Sequence, residues 1–188
     1  MRELLPQAYL IGLIVLLGGA AVVVARQILR VRRDEITLAR LGGDGSRQGG
    51  PQDSEGLYEL GSVQLRKRLY GQAADNLRLA LRRAESELAP AEALALIQNA
   101  LGFSLAAQNK YAAAVRHYRA ALKARADYPV ALNNLAYALE KQQKPDEARA
   151  LYERVLELES GNATARKRLR ILERRSGVDA SGGDGKAA

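Results

Sequence analysis

Side chains able to do covalent or metal chemistry are scarce in this 188-residue chain. It has one histidine, His117, and no cysteine, so neither a thiolate metal site nor a disulfide can form. His117 has tyrosines for neighbours, and packing or solvent exposure accounts for it. No cluster of His, Asp and Glu falls at ligand spacing, and no nucleophile stands beside a base. The chain is therefore expected to be no enzyme and to carry no cofactor or metal. What remains is recognition chemistry. Asn99, Asn133 and Asn134 each carry a donor and an acceptor, the pair of groups needed to grip an extended peptide backbone whatever its sequence. Phe103 and Tyr137 would add contact area beside them with little entropy lost. A second set is cationic: Arg166, Lys167, Arg168, Arg170, Arg174 and Arg175 are answered in their stretch only by Glu173.

The elements that must position these residues follow from an internal period. Thirty-four residues separate Leu101 from Leu135, and the same offset pairs Gly102 with Ala136, Leu105 with Leu139 and Ala114 with Ala148. It also pairs Tyr118 with Tyr152, Ala121 with Val155 and Leu122 with Leu156. Self-similarity at this length marks a solenoid of helix–turn–helix units. Gly102 and Ala136 belong to the first helix of each unit, Ala114 and Ala148 to the second. Small residues there let two backbones approach while leucines and tyrosines fill the flanking layers.

The pattern resembles the tetratricopeptide repeat, with units at 95–128 and 129–162. A weaker copy at 54–87 places Leu60, Gly61, Ala73, Leu77, Ala80 and Leu81 on the same template. Gln64 stands there where a large apolar residue is expected, and Leu65 can take its place. Seven extra residues, Leu88 to Leu94, follow this copy. Pro90 suits a helix start, so the insert is expected to lengthen the beginning of the next helix. The repeats depart from the family in lacking its tryptophan and its closing proline, whose place Ala126 and Ser160 occupy.

Assuming the family's superhelical geometry, the first helices line a concave groove. Its expected lining is Tyr58 and Ser62, then Leu96, Asn99 and Phe103, then Val130, Asn133, Tyr137 and Lys141, with Asn134 at the edge. The asparagines could equally be solvated or bond within the array. Some members of the family hold a chaperone's C-terminal carboxylate with two lysines, two asparagines and an arginine. The matching positions here carry Tyr58, Ser62, Ala100, Val130 and Asn134, of which only the last fits, so that mode is not expected.

Both ends of the array are legible. Residues 163–175 form an expected capping helix with Ala165, Leu169 and Leu172 at helical spacing, since a terminal repeat otherwise exposes an apolar face. Asn162 is placed as its N-cap, a better reading of Asn162-Ala163-Thr164 than a glycosylation site. Residues 176–188 are glycine-rich and polar, and disorder is expected. At the other end, Leu4 to Ala25 is a run without charge, about 33 Å long as a helix and enough to cross a membrane core of about 30 Å. Residues 1–25 are therefore expected to be a single transmembrane anchor. Arg26, Arg30, Arg32 and Arg33 follow at once, which places the rest of the chain on the cytoplasmic side. A cleaved signal peptide is opposed by the length of the run, by Glu3 and by those arginines. Residues 26–41 are expected to continue the helix as a basic juxtamembrane segment, and 42–53 to be a flexible linker. Gly42-Gly43-Asp44-Gly45-Ser46 lacks the lysine and preceding strand of a phosphate loop.

The net charge is +8, most of it within 54–175, where 21 basic residues face 14 acidic ones. A solvated basic face is the ordinary reading, with an acidic partner or anionic lipid as alternatives. Nucleic acid is not an expected partner, because no recognition motif accompanies the charge.

Three stretches carry a narrower resemblance. RQILRVRRDEITLARL follows the anchor, YELGSVQLRKRLYGQA lies in the first repeat, and NALGFSLAAQNKYAAAVRHYRAALKARADYPVALNNLAYALEKQ spans the next two. With the order of parts they resemble the membrane-anchored tetratricopeptide family of cyanobacteria and plastids that acts in photosystem I assembly and stability, over most of 8–41 and 55–173. The resemblance implies a thylakoid location, repeats facing cytoplasm or stroma, and a scaffold role while photosystem I subunits or assembly intermediates join. The expected chain is thus all-α: one transmembrane helix, then a solenoid of three repeats over 54–162 and a capping helix, binding protein clients and, through its anchor, membrane lipid. A bacterial inner-membrane adaptor for secretion, envelope or cytochrome biogenesis is the alternative. An export-facing chaperone would need the opposite orientation.

Overall fold

The computed structural model describes residues 4–42 and 53–181, with side chains placed for 12–33, 35, 36 and 53–175. All regular structure among the described residues is α-helical, and the chain divides into two units, Met1–Gly50 and Pro51–Ala188.

The first unit holds helix α1, Leu4–Gly42. Pro6 lies in its first turn, where no intrahelical hydrogen bond is lost. Gly12–Arg33 is long and apolar enough to cross a membrane. Its large apolar side chains, such as Ile14, Val15, Leu16 and Val23, are exposed, unlike those of a helix buried in a soluble core. Arg26, Arg30, Arg32 and Arg33 fall at the C-terminal end of this segment, and helix α1 continues past them without a break to Gly42. Most of the expected linker, residues 43–52, lies outside the described residues.

The second unit is built from α2 (Ser54–Arg66), α3 (Tyr70–Ser86), α4 (Ala91–Ala107), α5 (Tyr111–Ala124), α6 (Pro129–Lys141), α7 (Pro145–Leu158) and α8 (Ala163–Ser181). Helix α2 packs on α3, α4 on α5 and α6 on α7. The pairs join through α3–α4 and α5–α6, and α8 closes the stack on α7. Each pair turns at the same point. Arg68, Asn109 and Gln143 have φ near +60°, and the next amide reaches back to close the helix: Leu69 N–H to Gln64 O (2.9 Å), Lys110 to Leu105 (2.9 Å), Lys144 to Leu139 (3.0 Å). This left-handed closure satisfies carbonyls that the helix end leaves open.

Small residues let the pairs close. Gly61 faces Leu77 and Gly102 faces the Tyr118 ring. Around them Leu77, Leu101, Tyr118, Leu139 and Tyr152 are fully buried, each worth about 1.5–3 kcal/mol relative to exposure. Gln64 keeps its place in the core rather than yielding to Leu65, which is only half-buried. Asn76 makes this tolerable by donating Nδ2–H to Gln64 Oε1 at 2.9 Å, because a buried amide with a partner costs little. The insert places Pro90 just before α4, which starts early at Ala91 and is 17 residues long against 13 in α6.

Asn162 caps α8 as expected, its Oδ1 accepting from Ala165 N–H at 3.0 Å. Helix α8 runs to Ser181, beyond Arg175. Gly177 is a single glycine costing about 1 kcal/mol against alanine, too little to stop a helix by itself. Residues 182–188 lie outside the described residues.

Candidate protein-binding groove

The 34-residue offset continues into α8, which is more than the expected cap. Ala165 and Leu169 take the places of Ala131 and Leu135, and all four are buried. Contacts with α6 confirm the placement. Asn133 Nδ2 donates to Asn162 Oδ1 at 3.4 Å, and the Arg168 guanidinium stands 4.7 Å from the centre of the Tyr137 ring. Helix α8 is therefore the first helix of a fourth unit with no second helix packed on it among the described residues. Arg170 falls at the small-residue position of Gly61, Gly102 and Ala136, and it is exposed.

The first helices then present four rungs. Helix α2 contributes Glu55, Tyr58, Glu59 and Ser62. Helix α4 contributes Leu96, Asn99, Ala100 and Phe103, and α6 contributes Val130, Asn133, Asn134 and Tyr137. Helix α8 contributes Thr164, Lys167, Arg168 and Ile171. Apolar exposure concentrates on the middle rungs: Leu96 is 37%, Phe103 43% and Val130 53% exposed, although each belongs to a class that helix stacks normally bury. Phe103, Asn134 and Tyr137 share a surface cavity of about 280 Å³ with Ala106 and Tyr111. Tyr58 and Leu96 line another, of about 460 Å³, with Glu55, Pro90 and Ala93. This second cavity lies where the insert lengthens α4. Ser62 is half-buried on α2, and Lys141 is exposed with its ammonium 5.4 Å from the Tyr137 ring centre.

The three asparagines have different duties. Asn134 Nδ2 donates to Asn99 Oδ1 at 3.0 Å, and Asn99 Nδ2 donates to the Tyr128 hydroxyl at 3.4 Å. Both therefore tie neighbouring repeats together. Burial holds the Tyr128 hydroxyl above its ordinary pKa, so it stays protonated. Asn133 differs. Its Nδ2 faces Asn162 Oδ1, which the cap of α8 fixes as an acceptor. Asn133 Oδ1 is left buried with no hydrogen-bond partner among the described residues. An orphaned acceptor gains a hydrogen bond if the Asn133 side chain turns toward the groove, and an incoming N–H would then reach it.

The basic set separates in the same way. Arg166, Lys167, Arg170, Arg174 and Arg175 are exposed. Arg168 is not part of that surface: it lies 3.7 Å from the nearly buried Glu140 carboxylate, which also accepts the Tyr152 hydroxyl at 2.7 Å. The 34-residue offset, which puts Arg168 at the place of Asn134, is the signal in the sequence that sets it apart from the surface cations. His117 is no site either, its Nδ1 lying 2.7 Å from Gln98 Oε1.

Among known proteins, the tetratricopeptide repeat family profile matches residues 99–163. The tetratricopeptide repeat domain-containing protein PYG7, chloroplastic, of Arabidopsis thaliana is 33% identical over 168 residues, 89% of this chain and 54% of that protein. The chain thus spans little more than half of that relative. The ycf37 protein of Guillardia theta is 31% identical over 172 residues, 92% of this chain and 94% of its own. The ycf37 protein of Cyanophora paradoxa is 34% identical over 114 residues, 61% of this chain and 64% of its own. In fold, the first repeat domain of RPAP3 bound to an HSP90 peptide superposes with a TM-score of 0.61 at 24% identity, over 67% of this chain and 94% of that one. MamA does so with 0.60 at 20% identity, over 68% and 70%. At these identities the likeness is one of fold. The length and evenness of the Guillardia match, together with the repeat profile, show that the chain belongs to the ycf37 family of tetratricopeptide repeat proteins.

Proposed function

We propose that the chain is a non-enzymatic, membrane-tethered scaffold that holds a protein client in the groove of its first helices. The client in this reading is a photosystem I subunit or assembly intermediate. The observation that carries the groove is the alignment of exposed Leu96, Phe103 and Val130 beside the orphaned Asn133 acceptor. Apolar side chains of a client would cover the first three, and a backbone N–H would meet the fourth. Helix α1 supplies the tether, and the arginines after its apolar run favour repeats on the cytoplasmic or stromal side. Tethering raises the effective concentration of client and scaffold, so a groove of modest affinity suffices. The photosystem I role rests on the resemblance of the anchor-adjacent and repeat segments, and the chloroplastic name of one relative supports a thylakoid location.

The test is to isolate the C-terminally tagged chain from detergent-solubilised membranes and identify what co-purifies. Photosystem I subunits should be enriched, and the triple change Phe103→Ala, Tyr137→Ala and Asn133→Ser should abolish the enrichment with helical content intact. Enrichment of secretion or envelope machinery instead would refute the photosystem I role. Retained clients after the triple change would refute the groove.

A further inference from the structure

The four rungs of the groove differ in charge in an ordered way. Rung one carries Glu55 and Glu59, both exposed. Rung two carries no charge, only Leu96, Asn99, Ala100 and Phe103; rung three carries Val130, Asn133, Asn134 and Tyr137, with the exposed Lys141 ammonium 5.4 Å from the Tyr137 ring centre. Rung four carries Lys167 and Arg168. Beside Lys167, on the face of α8 where a second helix would pack, Arg170 and Arg174 line a surface cavity of about 310 Å³ with Ile171 and add positive charge to this end of the array. The Arg168 charge is partly answered by Glu140; Lys167 is exposed. The groove is therefore acidic at the α2 end, apolar and amide-rich in the middle, and basic from Lys141 on α6 to the α8 end.

We infer that the groove selects an extended client segment with a basic residue at one end, an acidic residue at the other and apolar residues between. This deepens the groove reading and rests on it. Charge complementarity sets the ends: a lysine or arginine of the client lies over Glu55 and Glu59, and a glutamate or aspartate lies over Lys167. The rungs set the length. Packed helices stand about 8–10 Å apart, so three steps cover roughly 24–30 Å. An extended chain covers about 3.3–3.6 Å per residue, which puts the two charges about seven to nine residues apart. In the middle, alternate side chains of the segment meet Leu96, Phe103 and Val130 while a backbone N–H reaches Asn133 Oδ1. A segment with two charges of one sign meets repulsion at one end, and this is how the groove would reject it.

The experiment uses the full chain in detergent micelles and dye-labelled nonapeptides of alternating leucine and serine, with blocked termini and defined ends. One peptide has a lysine at one end and a glutamate at the other; the controls have two lysines, two glutamates or two glutamines. Anisotropy titration at low salt should give the lysine–glutamate peptide about tenfold tighter binding than the glutamine peptide, with the advantage fading at about 0.5 M salt. The double change Glu55→Gln and Glu59→Gln should remove the preference for lysine alone. Lys167→Gln should remove the preference for glutamate alone. Equal binding of all four peptides, or tightest binding of a like-charged one, overturns the inference while leaving the groove in place. Binding of none overturns it too. The groove reading itself falls only if the triple change at Phe103, Asn133 and Tyr137 leaves the co-purifying clients unchanged.

Discussion

A methyl group placed on Gly102 would lie 2.7 Å from Tyr118 Cε1 and 2.8 Å from Cδ1, so the missing side chain is what brings α4 against α5. The third repeat has Ala136 and Tyr152 at the corresponding places, one carbon more on the first helix. Gly102→Leu should overpack the pair and cost about 1–3 kcal/mol, with Gly102→Ala milder. Thermal melts followed by circular dichroism would read it. An unchanged melting temperature for the leucine variant would show that α4 and α5 do not meet at Gly102.

Tyr118 and Tyr152 occupy equivalent positions and are both almost fully buried, yet only one hydroxyl does work inside the fold. Tyr152 donates to Glu140 at 2.7 Å, and burial followed by that carboxylate pushes its pKa far up. The Tyr118 hydroxyl makes no such bond among the described residues, and its ring borders the groove cavity. Tyr152→Phe should therefore destabilise by about 1–3 kcal/mol, since it strips a partner from a nearly buried carboxylate. Tyr118→Phe should be close to neutral. Equal losses in denaturant titrations would contradict this division.

His117 gives the repeats a mild acid sensitivity. Burial, then the charges of Arg116 and Arg78, push its pKa below the ordinary 6.5. The unfolded chain then takes up a proton at a pH where the folded chain does not. Stability is full above about 6.5, falls as pH drops through that value, and levels off once the folded imidazole also protonates. His117→Gln should remove this slope, measured as the difference between the two proteins' melting temperatures from pH 7.5 to about 5. Parallel curves would mean that His117 titrates alike in both states.

Leu88 is 90% exposed and has φ of +52°. The left-handed conformation costs a side chain with a Cβ roughly 1–2 kcal/mol, and no packing offsets it there. Leu88→Gly should raise stability by about 1 kcal/mol. A loss instead would reveal that the leucine packs against something at the turn.

Much of the fold was legible because the period repeats its spatial duty: Ala114 and Tyr118 recur 34 residues on and Gly102 is matched by the equally small Ala136, all buried. The first repeat was harder, since Gln64 breaks the apolar pattern and only its long-range bond to Asn76 repairs it. Equally hidden was the closing of the α2 start by Glu87, which accepts from Ser54 N–H across 33 residues of sequence. Contacts of this kind leave no local signature. In the groove, exposure of Leu96, Phe103 and Val130 followed from position, but the bonding of the asparagines did not. Asn99 and Asn134 face the same side as Asn133, and only the packed structure separates those that bind the array from the one left unsatisfied. Arg168 belongs to a charge run that by composition alone points to the surface, while its partner Glu140 lies in the preceding unit.

Asn133 supports a prediction with opposite signs for stability and binding. A buried acceptor without a partner costs about 1–3 kcal/mol, so the fold holds Asn133 at a disadvantage. Asn133→Leu removes that acceptor and loses only the long 3.4 Å contact to Asn162, whose Oδ1 keeps its cap bond to Ala165. Stability should be unchanged or higher by up to about 1 kcal/mol. Client affinity should fall about tenfold, the worth of one hydrogen bond to an otherwise unpaired group. Melting temperature and peptide titration on the same preparation would decide it. A drop in stability with affinity retained would make Asn133 a structural amide like Asn99, and the groove would then have to hold its clients through Phe103, Tyr137 and its charged ends alone.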